Sequence, residues 1–160
     1  MTLLQSELGV TEVAPEVRRH FRDIHNIQIL AEATGIEIEV FDRPFEPAER
    51  ADYTNEVIAK INALPAEPTL VFPDPDTGLL DKPYSTKHAL PGELKAIWQS
   101  LRPADWLIFY QHASRQVDWA SKRRREFQAA CPDAHVLQFS PNGARDVLFF
   151  AASRSARCDD

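Results

Sequence analysis

The ten residues Thr69-Leu70-Val71-Phe72-Pro73-Asp74-Pro75-Asp76-Thr77-Gly78 constrain this chain more than any other stretch. Three apolar residues stop abruptly at two prolines, each followed by an aspartate, and a glycine turns the chain. Proline fixes φ and pushes the residue before it toward extended backbone, so neither helix nor a longer paired strand continues past Phe72. The pattern predicts a buried central strand over Thr69–Phe72 whose carboxyl end delivers Asp74 and Asp76 into a loop. In open α/β sheets, ligands bind in the crevice outside such strand ends. The plainer alternative is that the two acids only shape a turn or cap the next helix.

The remaining chain supplies elements around this strand. At 160 residues it is long enough for one domain with a real core, here placed at 1–152 with a polar tail over 153–160. Pro15 starts a helix with Val17, Phe21 and Ile24 on one face, and a second helical stretch from Ile27 to Thr34 is closed by Gly35. His20 and His25 do not share a helix face and are left on the surface. Ile36–Phe41 alternates apolar and acidic residues, the mark of a half-buried strand, and Asp42 stands at its end. A helix capped by Thr54 carries the apolar stripe Val57, Ile58, Ile61 and Leu64. Strand, helix and the Thr69–Phe72 strand then form a βαβ unit.

After the pivotal strand comes a polar loop over residues 77–89 holding Lys82, Tyr84, Ser85, Thr86, Lys87 and His88, the kind of place where site residues collect. Pro91–Leu101 is a helix that buries Leu94, Ile97, Trp98 and Leu101. Asp105–Tyr110 is a second apolar run, predicted to be a buried parallel strand. Its end presents Tyr110, Gln111 and His112, followed by Ser114 and Arg115. The crevice rule places these beside the Asp74 loop, with His112 as the acid/base candidate. Val117–Cys131 is a helix carrying Lys122-Arg123-Arg124-Arg125, either a solvated face or a patch for phosphates. His135–Phe139 and Asp146–Ala151 are strands joined around Ser140-Pro141-Asn142-Gly143 as a C-terminal β-hairpin.

Charge and composition narrow the function classes. The net charge is −6, which argues against a general polyanion binder. The charge is uneven: residues 1–80 hold 6 Lys+Arg against 15 Asp+Glu, whereas residues 81–160 hold 12 against 9. A basic C-terminal half is compatible with DNA or RNA as a partner. Cys131 and Cys158 show no metal-ligand spacing. Neither a signal peptide nor a membrane-length apolar run is present, so a cytoplasmic protein with no membrane partner is expected.

The order of the last four strands, with Asp74-Pro75 after one of them and an antiparallel hairpin at the end, resembles the C-terminal half of class I S-adenosylmethionine-dependent methyltransferases. In the members that methylate amino groups of nucleic acids, the equivalent strand ends in Asp/Asn-Pro-Pro-aromatic. There the acid accepts hydrogen bonds from the target amine and the aromatic ring stacks on a flipped base. This chain reads Asp74-Pro75-Asp76-Thr77, matching the first two positions. The resemblance spans roughly residues 36–152 by order of elements, but no Gly-x-Gly cofactor loop occurs among the five glycines. The strings Asp74-Pro75-Asp76-Thr77-Gly78, Ser85-Thr86-Lys87-His88 and Tyr110-Gln111-His112 are also similar to strings in bacterial and phage proteins, a likeness that carries no activity.

The expected fold is therefore a three-layer α/β sandwich with a mostly parallel, Rossmann-like sheet and a C-terminal antiparallel β-hairpin. The resemblance implies a methyltransferase-like protein acting on nucleic acid, with S-adenosylmethionine as cofactor near Asp42. Asp74, Asp76, Lys87 and His112 are the catalytic candidates. Tyr84, His88, Tyr110, Gln111, Arg115, Arg123, Arg124 and Arg125 are the substrate-binding ones. One alternative is a metal-dependent nuclease in which Asp74 and Asp76 hold Mg²⁺ or Mn²⁺. The string Pro73-Asp74…Glu93-x-Lys95 resembles a restriction-nuclease signature, but Glu93 and Lys95 fall on the predicted helix, where positions i and i+2 diverge by about 200°. The other alternative is a non-catalytic, methyltransferase-like interaction module, which a large exposed apolar patch would favour.

Overall fold

The computed structural model describes residues 31–32, 34–41, 43–80, 85–140 and 146–154. The chain separates into two compact units, Met1–Pro44 and Phe45–Asp160. In the first, the helical residues around Ala31 end at Gly35, which takes φ 69° while its N–H returns to the Ala31 carbonyl at 2.9 Å. This is the left-handed helix stop expected of glycine. Residues 36–41 pair with no strand among the described residues, and Ile36 is 63% exposed. The expected strand is thus absent there: alternation marks a segment able to be half-buried, but only a neighbouring strand makes it one. Asp42 lies outside the described residues.

The second unit is α/β. A 3₁₀ turn at Pro47–Glu49 leads into α1 (Arg50–Ala63). Then follow β1 (Leu70–Val71), β2 (Gly78–Leu79), β3 (His88–Ala89), α2 (Pro91–Ser100), β4 (Trp106–His112), α3 (Trp119–Ala130), β5 (His135–Phe139) and β6 (Val147–Ser153). Helix α1 begins a turn earlier than expected, so Thr54 is not its cap. Thr54 sits inside the helix and its hydroxyl donates to the Arg50 carbonyl at 2.9 Å, the usual resort of a mid-helix threonine.

Strands β1, β4, β6 and β5 form one sheet in that order. β1 runs parallel to β4, and β6 runs antiparallel to both β4 and β5. The C-terminal hairpin is present, but the sheet is mixed rather than mostly parallel. The connection through α3 leaves a one-strand gap between β4 and β5, and the returning β6 fills it. An apolar run signals a strand covered on both sides but not which neighbours it takes. The pivotal strand is likewise not central: β1 stands at the edge of the described sheet, with Leu70 56% exposed. Pro68, Pro73 and Pro75 bracket it, a residue type that cannot donate to a further strand. β2 and β3 form a separate parallel pair.

One face of the sheet makes the core. Leu107 and Phe109 from β4, Val136 from β5, and Leu148, Phe150 and Ala152 from β6 bury against Leu94, Ile97, Trp98 and Leu101, and against Phe127 and Ala130 of α3. All four expected apolar positions of the α2 region are buried. Phe127 lies between Phe109 and Phe150, with ring centroids 5.9 and 5.0 Å away. Cys131 is buried beside them, and burial, reinforced by Asp133, pushes its thiol up to about 12, which makes it inert. Arg154, in the expected tail, is instead pinned. It stacks 4.4 Å over Trp98 and bonds Asp133, which also accepts from Trp98 Nε1 at 2.6 Å.

Asp105 fixes the start of β1 against β4. It accepts from the Thr69 and Arg102 backbone N–H groups at 2.9 and 2.8 Å, and from the Arg102 guanidinium. Arg102 in turn donates to the carbonyls of Pro65 and Glu67. Asp105 is 2% exposed because these partners cover it, rather than because it lies deep in the core. Burial alone would raise its pKa, but the hydrogen bonds from Arg102 and Thr69 and the Arg102 charge together hold it below the usual carboxylate value.

Candidate functional site

The site lies at the carboxyl ends of β1 and β4, and a buried bracket builds it. Gln111 alternates with Leu107 and Phe109 and is therefore on the core face of β4. Its Oε1 accepts from Leu79 N–H at 2.8 Å, and its Nε2 donates to the carbonyls of Thr77 and His112 at 3.0 and 2.9 Å. These bonds fasten the turn after Asp76 onto β4. Gly78 makes the close approach possible: its φ is 97°, and a Cβ there would stand 2.5 Å from the Gln111 amide. Gln111, expected to bind substrate, is 2% exposed and serves as this bracket instead.

A second clamp holds the polar loop. Arg50 is 8% exposed. Its Nε and Nη2 form a two-point ion pair with Glu93 at 2.5 and 2.8 Å, and it also donates to the carbonyls of Ser85 and His88. Phe45 lies 4.6 Å below the guanidinium. Glu93, near the start of α2, also accepts from the Leu90 N–H at 2.7 Å. The helical setting of Glu93 and Lys95 is as expected, and Glu93 is a partner for Arg50 rather than part of a nuclease signature.

Within this frame, Thr77 and the loop lock together. The Thr77 hydroxyl lies 2.8 Å from both the Lys87 carbonyl and His88 Nδ1, with Ser85 Oγ 3.1 Å from the same nitrogen. The His88 ring is therefore tied to the Thr77 and Ser85 hydroxyls at the start of β3. Lys87 reaches Asp76 at 4.0 Å, but both side chains are mostly exposed, so the pair adds little stability. Tyr84 lies outside the described residues.

The chemistry gathers around Tyr110 and His112, on the opposite face of β4 from the core. His112 Nε2 lies 3.4 Å from an Asp146 carboxylate oxygen, and its Nδ1 lies 3.2 Å from the Ala113 carbonyl. A neutral ring can donate to only one of the two. Asp146 is placed by its own backbone, whose carbonyl accepts from Ala113 N–H at 2.7 Å just before β6 begins. The Asp74 pKa is raised first by protein atoms crowding its carboxyl, although the residue keeps solvent access, and second by the charge of Asp76. The Tyr110 pKa is raised by burial, then by Asp74, Asp146 and Asp76 in that order. Three carboxylates thus act on one phenol.

An aromatic row runs from this point across the sheet face. Phe149 lies opposite Tyr110 in register, and the rings of Phe139, Tyr110 and Phe72 lie 5.3, 5.8 and 6.1 Å from it. Phe72, Trp106 and Leu70 on this face are 40, 39 and 56% exposed.

The basic run does not form one patch. Arg123 is 6% exposed and pairs with Glu126 at 2.5 Å, because its position repeats with Trp119 and Phe127 on the inner side of α3. It is removed from the phosphate-binding set. Arg124, Arg125 and Arg115 are exposed. The structure therefore brings Asp74, Asp76, Lys87, Tyr110 and His112 to one end of the sheet and sets Gln111 and Arg123 into the fold. Phe72, Phe149 and Asp146 are additions. Phe72 and Asp146 had a signal in the sequence as strand-end residues, whereas Phe149 had none beyond its apolar run. No protein-family profile, no curated protein and no solved structure matches the chain.

The site combines hydrogen-bond acceptors with aromatic surface, a pairing suited to N–H donors and cations. Among the described residues no group of three His, Cys, Asp or Glu side chains is arranged to hold a metal ion. Among those residues, too, no helix is long and apolar enough to cross a membrane.

Proposed function

We propose that this protein is a methyltransferase-like interaction module, in which the open face of the sheet and the Asp74 loop bind a partner without group-transfer chemistry. The observation that carries it is the exposure of Leu70, Phe72 and Trp106 side by side on one sheet face. Adjoining exposed apolar side chains on a soluble domain mark a binding surface more often than an accident. The resemblance itself is supported by the strand order, with β6 returning antiparallel between β4 and β5, and by Asp74-Pro75 at the end of the strand beside β4. The reading includes a Rossmann-like, three-layer arrangement in a cytoplasmic protein.

Gly78, the sharp glycine turn at this end of the sheet, is filled by the Gln111 side chain, so support for a methyl-donor site does not come from this turn.

A second reading, methylation of amino groups on nucleic acid, draws on the raised pKa of Asp74 next to Tyr110, which suits an acid that accepts a hydrogen bond from an amine. A thermal-shift panel separates the readings. A ligand that binds only the folded state adds about 2.7 kcal/mol at a hundredfold excess over its Kd. The interaction module predicts an unchanged melting temperature with S-adenosylmethionine, Mg²⁺ and Mn²⁺. A rise with the methyl donor would establish the methyltransferase reading. A rise with Mn²⁺ that disappears in Asp74→Ala/Asp76→Ala would establish the metal-dependent nuclease.

A further inference from the structure

We infer that the sheet face bearing Phe72, Tyr110 and Phe149, together with its acidic rim, docks an arginine-bearing segment of a partner protein. The inference rests on the interaction-module reading and names the chemistry of the partner. Its first support is the shape of the surface. Phe72 and Tyr110 both pack against Phe149, at 6.1 and 5.8 Å, and Phe72 keeps 40% of its surface in solvent. That leaves an open aromatic floor at the end of β1.

The second support is charge complementarity. Phe72 leads directly into Pro73 and Asp74, so the floor ends at the carboxylates of Asp74 and Asp76, with Asp146 across β4 beside His112. The described cations near this end include Lys87, already 4.0 Å from Asp76, His112, 3.4 Å from Asp146, and the exposed Arg115 just past β4. Asp74, Asp76 and Asp146 nonetheless converge on Tyr110, and all three carboxylates disfavour ionisation of its phenol. A phosphate backbone would meet repulsion here, whereas a cation would be drawn in. Arginine suits both parts at once. Its planar guanidinium stacks on an aromatic face and donates in parallel to a carboxylate, which the compact lysine ammonium does less well.

The test is isothermal titration of the full chain with a hexa-arginine peptide at about 0.15 M salt, where diffuse attraction is screened. Hexa-citrulline, of nearly the same shape without charge, and a short single-stranded oligothymidylate are run in parallel. The inference expects saturable binding of hexa-arginine and binding of hexa-citrulline at least about ten-fold weaker. It expects Phe72→Ala and Asp74→Asn/Asp76→Asn each to weaken the peptide by about five-fold or more. Melting curves check that both variants fold; should Phe72→Ala fail to fold, the Asn pair decides.

No peptide binding, or binding that both variants leave unchanged, would overturn the inference, since the attraction would then belong to the net charge and not to this face. Oligothymidylate binding that Phe72→Ala removes would also overturn it, in favour of a nucleic-acid surface. A melting shift with S-adenosylmethionine or Mn²⁺ overturns the underlying module reading separately, whatever the peptide does.

Discussion

Gly78 and Gln111 depend on each other. An alanine at position 78 would force a φ of 97° on a residue with a Cβ and drive that Cβ into the Gln111 amide. Gln111 cannot swing away cheaply, because doing so strands Leu79 N–H in the core. Gly78→Ala should therefore cost at least about 2 kcal/mol in denaturant unfolding. The aspartates differ in sign. Asp105, with its pKa held low in the fold, stabilises above its ordinary titration range and loses that contribution as pH falls through the lowered value. Unfolding free energy followed against pH should show a flatter acid limb in Asp105→Asn than in the parent. Asp74, with its pKa raised by burial and then by Asp76, behaves oppositely: its charge opposes folding at neutral pH, and the opposition fades as pH falls through the raised value. Asp74→Asn should melt no lower than the parent at pH 7, with the difference shrinking in acid. A clear fall in melting temperature would make Asp74 a structural residue.

Arg50 is the joint between α1, the polar loop and α2. Removing its guanidinium leaves Glu93 Oε1 unmet in a largely buried place, with only Leu90 N–H still on Oε2, and frees the carbonyls of Ser85 and His88. Arg50→Ala should destabilise by about 3–5 kcal/mol in denaturant titrations, as expected for one partner of a buried pair. This joint could not be found from the sequence, because Arg50 and Glu93 are far apart in the chain and each looks like an ordinary helix-end charge. The α2 face and the start and stop of α3 were legible, since apolar residues at helical spacing bury the same way in most contexts. The run Lys122–Arg125 was misleading for a related reason. Four successive helical positions point in four directions, so one of them, Arg123, had to face inward.

The two sides of the sheet define the molecule's core and its candidate binding face. Phe127→Ala, between Phe109 and Phe150, should cost about 3–5 kcal/mol. Phe72→Ala should cost far less, because Phe72 is already 40% in solvent. Comparable losses in the two variants would mean that the outer face is a second core. Local chemistry settled what lies within a few residues: Gly35 and the prolines stop elements by their own φ restrictions, and Asp74 and Asp76 leave a strand end because Pro73 and Pro75 forbid pairing there. Position among neighbours was decided only in three dimensions. That β1 is an edge of the described sheet, that β6 slots antiparallel between β4 and β5, that Gln111 faces inward while Tyr110 faces outward, and that Phe149 meets Phe72 all depend on strand order and register. Apolar alternation assigns residues to two faces of a strand, but only packing against helices or other strands decides which face becomes the interior.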